Sequence, residues 1–250
     1  MSKVELFNDH FQNYKRYGIP KAQLLIADIP YNIGIDAYGS NPMWYKDGDR
    51  ANGESKLAGK TFFNTDERFK IPEFFHFCSR MLKKEPKAAK QAPCMIVFCS
   101  FEQQFELIKH AKENGFEHYI NLVFKKNFSP QVLKANMRIV GNSEYAILLY
   151  RDKLPKFRNS GNMVMNCMDW PRDNITPKIH PTQKPIKLLE RLIEIFTDPG
   201  DVVIDPVAGS CTSLLAAKNL GRSAYGFEIM KPMCKEAREK ILTISEPLLF

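Results

Sequence analysis

Short apolar runs recur along the chain and predict seven buried strands. The runs cover residues 4–7, 22–26, 94–99, 119–125, 144–150, 201–205 and 224–227. Apolar residues at helical spacing predict helices over 72–81, 102–114 and 186–196, and a further helix around 214–217. Strands that alternate with helices are typical of an α/β sheet covered by helices on both faces.

Two stretches lack this periodicity. Residues 33–70 contain five glycines, and their aromatic side chains argue against disorder. We interpret 33–70 as a loop over a site, although a purely structural flap would have the same composition. Residues 126–179 are predicted to be an inserted region that contains the strand 144–150 and is irregular over 152–179, where proline and asparagine are frequent.

Length and composition indicate one domain. A chain of 250 residues, 44% hydrophobic and 26% charged, can bury a single core over 1–250. No apolar stretch is long enough to span a membrane, and the first residues do not resemble a signal peptide, so a cytoplasmic location without a membrane partner is expected. The six cysteines show no metal-binding spacing, and no metal site is predicted.

The charge favours a polyanionic partner. The net charge is +8, and two basic runs stand out, at 80–90 and 125–142. One run alone is usually a solvated face. Two runs together favour phosphate contacts, and the candidates in the second run are Lys125, Lys126 and Arg138.

A cluster suited to binding an amine follows the second predicted strand. Asp28 offers an anionic acceptor, and the carbonyl of Ile29 offers a second one, held extended by Pro30. Tyr31 offers a flat face for an aromatic ring. Two acceptors on one planar amine would draw its nitrogen toward tetrahedral geometry, so that the lone pair can attack an electrophile. An ordinary junction of strand and turn can contain the same residues.

A loop suited to a nucleotide follows the sixth predicted strand. The strand ends at Asp205, and the chain turns at Gly209 into a helix, so backbone N–H groups face a ligand with little side-chain bulk between. Glu228 ends the next strand, 23 residues after Asp205, where an acid commonly binds ribose hydroxyls. A structural strand, turn and helix is the alternative.

Both motifs resemble those of the amino-group DNA methyltransferases, which methylate adenine or cytosine amines with S-adenosylmethionine. Asp28-Ile29-Pro30-Tyr31 resembles their Asp-Pro-Pro-Tyr, which implies that these four residues are catalytic. Asp in first place is commoner in the adenine N6 branch and Ser in the cytosine N4 branch. Ile29 departs from the first proline but keeps the backbone carbonyl.

The second motif, 205–212, resembles the family's Asp-Pro-Phe-x-Gly-Ser-Gly-Thr. Val207 and Cys211 depart from it, and Cys211 is expected to place a side chain where the backbone approaches the ligand. The resemblance also implies that Asp9 contacts the cofactor's adenine and that the segment 180–185 holds its methionine end. The residues implied to bind the cofactor are Asp9, Thr182, Lys184, Asp205, Ala208, Gly209, Ser210, Thr212 and Glu228.

The order of the motifs is similar to that of the circularly permuted beta group of this family. It implies a Rossmann-like methyltransferase fold with a mostly parallel seven-stranded sheet, in which 126–179 recognises the target. Arginine can read base edges, and Arg158 and Arg172 join the candidates for nucleic-acid contact.

The expected reaction is methylation of an adenine that is flipped out of double-stranded DNA. Cytosine N4, RNA and a protein amide remain alternative substrates, and a degenerate, non-catalytic DNA-binding protein remains an alternative function. A homodimer is left open.

Overall fold

The computed structural model describes residues 2–31, 69–127, 131–134, 139–180 and 182–244, with 131–134 described by their backbone. Ten strands lie in these ranges. They are β1 (Val4–Phe7), β2 (Leu24–Asp28), β3 (Cys94–Cys99), β4 (His118–Lys125), β5 (Gln131–Lys134), β6 (Ile139–Gly141), β7 (Ser143–Tyr150), β8 (Cys167–Asp169), β9 (Val202–Asp205) and β10 (Ser223–Phe227).

Eight of these strands form one sheet in the order β1-β10-β9-β2-β3-β7-β4-β8. Only β7 runs antiparallel to its neighbours in this sheet. The mostly parallel α/β sheet is confirmed, but the count of seven strands is wrong by one. The additional strand is β8, which pairs with β4 inside the region predicted to be irregular. Because β8 has three residues and is largely exposed, it leaves no apolar run in the sequence.

Five α-helices and one 3-10 helix lie in the same described ranges. They are the 3-10 helix Phe11–Arg16, α1 (Ile71–Met81), α2 (Gln103–Glu113), α3 (Ile186–Phe196), α4 (Thr212–Asn219) and α5 (Lys231–Lys240). Proline near its start and a strongly apolar face fix α1, while α3 has the bounds expected from its apolar spacing. The spacing did not reveal α5, which buries only Cys234 and Ala237.

Two hydrophobic cores cover the opposite faces of the sheet. Alternate residues of β2 belong to different cores, with Leu24 and Ile26 on one face and Leu25 and Ala27 on the other. Helices α3, α4 and α5 pack on the first face, and α1 and α2 pack on the second. Helices on both faces are therefore confirmed.

The sheet reverses its strand order between β9 and β2. The chain passes from β9 to β10 on one side of this junction and from β2 to β3 on the other. All four strands are parallel, so their carboxyl ends meet at one edge. Ligands of open α/β sheets bind at such a junction. It brings Asp28, at the end of β2, toward Asp205, at the end of β9.

Most of the predicted 33–70 loop lies outside the described residues, as does Arg138. Within the described part of the chain, we find no helix long and apolar enough to cross a membrane.

Candidate active site

One cavity of about 850 Å³ opens at the carboxyl ends of β2, β9 and β10. Its walls include Asp28, Ile29, Pro30 and Tyr31 from the first half of the chain. The second half contributes Asp205, Pro206, Val207, Ala208, Gly209, Ser210, Thr212, Ser213 and Glu228. The two motifs, far apart in sequence, therefore share one cavity of a size usual for ligand sites.

The segment 28–31 is held rigidly without the family's first proline. Ile29 donates its backbone N–H to the carbonyl of Phe98 at 3.2 Å, and its side chain is only 2% exposed within the core. Gln103 donates from Nε2 to the carbonyl of Pro30 at 2.7 Å. Burial of the Ile29 side chain thus holds its backbone carbonyl in place. This carbonyl is the one that the sequence analysis proposed as an acceptor for the substrate amine.

Asp28 is an incompletely satisfied carboxylate. Its Oδ2 accepts a hydrogen bond from Nζ of Lys184 at 2.6 Å, whereas Oδ1 is buried without a donor among the described residues. Burial raises the pKa of Asp28, and the charge of Lys184 opposes that rise. The Asp28 side chain lines the cavity and is 34% exposed, and a carboxylate can accept about four hydrogen bonds, so Asp28 has acceptor capacity left for a ligand.

Tyr31 forms a second polar contact at the floor of the cavity. Its hydroxyl donates to Oε2 of Glu144 at 2.7 Å, and burial raises the pKa of Tyr31 well above its ordinary value. Glu144 also pairs with Lys126. Sequence reasoning missed Glu144, because a single acid at the start of a strand has no local signature. It reaches the cavity because β7 runs antiparallel, which brings the first residues of β7 to the edge where the other strands end.

The nucleotide-type loop has the expected shape. Asp205 accepts hydrogen bonds from the backbone N–H of Val207 at 3.0 Å and from the hydroxyl of Ser213. Burial raises the pKa of Asp205 to about 7. Gly209, at φ +48°, donates its N–H to Oε2 of Glu228 at 3.1 Å, and burial raises the pKa of Glu228 as well. The turn therefore places an acid from the next strand directly against the loop.

Cys211 does not point at the ligand space, which corrects the expectation for this residue. It adopts φ +63° at the start of α4, and its side chain is buried in the core rather than in the cavity wall. Val207 does line the cavity. Cysteine at this position therefore strains the backbone but does not take up space in the cavity.

Asp9 is not among the residues that line the cavity, and its contact with the cofactor's adenine stays a prediction. Its carboxylate accepts hydrogen bonds from Nδ2 of Asn13 at 2.6 Å and from the hydroxyl of Tyr17 at 2.7 Å. The bond from Tyr17 is the main reason why the pKa of Asp9 is lowered. Asp9 thus stabilises the 3-10 helix, and His10 and Phe11 line the cavity in its place.

The segment before α3 lines the cavity and also makes contacts within the protein. Thr182 lines the cavity and hydrogen-bonds to Nδ1 of His180 at 3.0 Å. Lys184 binds Asp28. The first N–H of α3, that of Ile186, donates to Oδ2 of Asp173 at 3.2 Å. An acid of the protein itself thus occupies the helix end that was expected to bind the cofactor's carboxylate.

The predicted nucleic-acid residues occupy different environments. Lys125 is exposed at the end of β4, and Arg172 is exposed at the cavity, where Nε donates to Oδ1 of Asn127 at 3.2 Å. Arg158 forms two hydrogen bonds with Asp198, of 2.7 and 2.8 Å. Lys126 is only 6% exposed and points inward to Glu144, so the surface position expected for it is wrong.

This fold, with a nucleotide-type loop on one wall of the cavity and Asp28 with Tyr31 on the other, defines a methyltransferase that uses S-adenosylmethionine. A family model for DNA methylases matches residues 22–239. The chain belongs to this DNA methylase family.

Individual relatives agree with this assignment. The chain is 27% identical over 246 residues to the DNA adenine methyltransferase YhdJ of Escherichia coli (strain K12), covering 91% of this chain and 79% of YhdJ. It is 25% identical over 236 residues to the type II methyltransferase M.HpaI of Haemophilus parainfluenzae, covering 87% of this chain and 67% of the relative.

Solved structures show the same fold. The crystal structure of the M1.HpyAVI–SAM complex superimposes with a TM-score of 0.70 at 22% identity, covering 96% of this chain and all of that one. The cytosine-N4-specific PvuII DNA methyltransferase gives a TM-score of 0.70 at 16% identity, covering 99% of this chain and 89% of that one.

Proposed function

We propose that this protein transfers the methyl group of S-adenosylmethionine to the N6 amine of an adenine flipped out of double-stranded DNA. The observation that carries the proposal is the partly exposed carboxylate of Asp28 beside Tyr31, in the cavity that also contains the nucleotide-type loop. The name of YhdJ, a DNA adenine methyltransferase, supports adenine as the target.

The residues of the cavity fit this cofactor. Asp205 and Glu228 lie beside the nucleotide-type loop in the cavity wall, where their oxygens can accept hydrogen bonds from the hydroxyl and amino groups of the cofactor. Gly209 has no side chain that could block the approach of a ligand to the loop. The space beside its Cα is open, since a Cβ placed there would meet no atom closer than 3.9 Å. We infer that Glu228 binds the ribose hydroxyls and that the loop 205–212 holds the nucleoside. The bound cofactor supplies an electrophilic methyl group.

The first half of the chain would handle the amine. Asp28 and the carbonyl of Ile29 accept hydrogen bonds from the two N–H groups of the amine, while the ring of Tyr31 stacks on the base. The base must leave the duplex, because its amine cannot reach a recessed cavity while it is stacked. Positioning of the two reactants supplies most of the acceleration.

Double-stranded DNA is the proposed partner. The exposed side chains of Lys125 and Arg172, together with the net charge of +8, support phosphate contacts near the cavity. Recognition by 126–179, a cytoplasmic location and a homodimer remain parts of the proposal.

The test is methyl transfer to DNA by the wild-type protein and by Asp28→Ala, followed by identification of the modified base. We expect N6-methyladenine from the wild type and a loss of about 10²- to 10⁴-fold in the variant, since the amine loses its charged acceptor. Asp152→Ala, exposed at the end of β7, is the matched control and should keep full activity. N4-methylcytosine as the product, or methylation of RNA or protein alone, would refute adenine as the target.

A further inference from the structure

We propose that Lys184 is a positioning residue for Asp28 and does not bind the carboxylate of the cofactor. This inference rests on the proposed function and assigns to Lys184, Glu144 and Lys126 a shared role in the same reaction. It differs from the role that the sequence motif suggested for Lys184.

The first observation is that the ammonium group of Lys184 lies close to oxygen atoms of Asp28, Tyr31 and Glu144. The residue is 5% exposed, and its ammonium lies 2.6 Å from Oδ2 of Asp28, 3.3 Å from the hydroxyl of Tyr31 and 3.9 Å from Oε2 of Glu144. An ammonium has three donors, and three oxygens surround this one.

Aromatic rings fix the ammonium in place. Its Nζ lies 5.3 Å from the ring centroids of Tyr31 and Phe98 and 5.7 Å from that of Trp170. Rings at this distance attract a cation and exclude water from it. Lys184 is therefore poorly placed to move toward another anion.

The charges of the buried group balance. Two carboxylates, Asp28 and Glu144, face two ammonium groups, Lys184 and Lys126. Burial lowers the pKa of Lys184, but the two carboxylates outweigh this effect, and its pKa is raised overall. Lys184 thus stays charged, and its charge works against protonation of Asp28. An ionised Asp28 can accept hydrogens from an amine, whereas the protonated acid is a poorer acceptor.

The usual place for a carboxylate ligand is already filled. Asp173 accepts from the backbone N–H groups of Ile175 at 3.1 Å, Thr176 at 2.9 Å and Ile186 at 3.2 Å. The N-terminus of α3 therefore faces an acid of the protein. A second anion at Lys184 would lie close to the carboxylates of Asp28 and Glu144, and repulsion between like charges disfavours it.

The experiment separates the two roles of Lys184. In Lys184→Met, we expect S-adenosylmethionine to bind with a dissociation constant within about threefold of wild type, by calorimetry. The pH profile of single-turnover methyl transfer should change instead. Asp205, whose pKa burial raises to about 7, and the thiol of Cys99 also interact with Asp28, but both are present in wild type and variant, so the difference between the two profiles reports the loss of the Lys184 charge. Without the cation, the pKa of Asp28 rises further, so the acid limb should move to higher pH by about 1 to 3 units, the usual effect of an opposite charge at this distance.

A second variant predicts a shift of opposite sign. Glu144→Gln keeps an acceptor for the Tyr31 hydroxyl but removes a negative charge that raises the pKa of Asp28. Its acid limb should therefore move to lower pH. Lys109→Met, exposed on α2, is the matched control and should leave both measurements unchanged.

Weaker cofactor binding in Lys184→Met with an unshifted pH profile would overturn the proposal. If that variant does not fold, Glu144→Gln decides alone, and an acid limb that stays in place overturns it. Wild-type protein in the same assay keeps the two proposals apart. If the wild type transfers no methyl group, the proposed function fails; if it does and the shifts are missing, only the role of Lys184 fails.

Discussion

Cys211 adopts a left-handed backbone conformation at φ +63°, in the turn that leads into α4. A side chain with a Cβ costs about 1 to 2 kcal/mol in this region relative to glycine. The thiol is buried in the core, where it packs as a small apolar group. The position therefore combines backbone strain with a packing gain.

Comparison of two substitutions isolates the strain. Cys211→Gly and Cys211→Ala both remove the thiol, but only glycine relieves the strained backbone. We expect the glycine variant to have the larger free energy of unfolding, by about 1 to 2 kcal/mol, in urea titrations.

The same pair at Cys234 is the control for this prediction. Cys234 lies inside α5, where alanine is favoured over glycine by about 1 kcal/mol. The order of the two variants should therefore reverse. If alanine is the more stable choice at both positions, strain at Cys211 is ruled out.

At the scale of elements, α3 depends on one acid outside it. Asp173 accepts from the first N–H of the helix and from two N–H groups of its own turn. These backbone bonds overcome the effect of burial, and the pKa of Asp173 is lowered. The carboxylate therefore stabilises the fold above its unfolded pKa, and this contribution is lost as the pH falls.

Asp173→Ala should lower the free energy of unfolding by about 1 to 2 kcal/mol at pH 7, the usual cost of losing a cap. The difference from wild type should shrink as the pH falls toward 3, because protonation already weakens the wild-type contact. Urea titrations at several pH values measure both effects. A difference that does not depend on pH would show that the charge of Asp173 is irrelevant.

The elements differ in how well the sequence predicts them. The apolar face of α3 and the six buried residues of β3 fix their bounds, because burial determines the local pattern. In contrast, β8 is short and exposed, and α5 is mostly charged, so neither pattern carries information about the fold. Pairing with a neighbour, not local pattern, decides such elements.

The site follows the same rule. Asp28 and Asp205 end buried strands, which is a visible pattern, and both lie in the cavity. Glu144 and Lys126 could not be assigned, since a lone acid in a strand and a lysine in a basic run both resemble surface residues. The contacts of Asp9 could not be predicted either, because sequence position alone does not show that Asn13 and Tyr17 donate hydrogen bonds to its carboxylate.

At the scale of the whole molecule, the cavity joins residues from both ends of the chain, from His10 to Met233. A ligand that binds only the folded state stabilises the whole domain, by about 2.7 kcal/mol when the ligand concentration is 100 times the dissociation constant. Cofactor binding should therefore raise the thermal midpoint of the entire domain in a single transition.

Two variants should show which half of the cavity is responsible for the thermal shift on cofactor binding. We expect Glu228→Gln to weaken the binding of S-adenosylmethionine by about tenfold, since a charge-assisted hydrogen bond contributes about 1.5 kcal/mol or more. Its thermal shift should be smaller than that of wild type. Asp28→Ala should keep the full shift while losing methyl transfer. Equal shifts in all three proteins would contradict the assignment of Glu228.

The reversed direction of β7 has one further consequence. The chain leaves the reactive edge at Lys125 and returns to it at Ser143, and Lys126 donates its backbone N–H to the carbonyl of Asn142 at 2.7 Å. The two ends of the segment between β4 and β7 are thus hydrogen-bonded to each other beside the cavity. Because its two ends are held together, the length and sequence of the segment between them can change in evolution without displacing the residues that line the cavity.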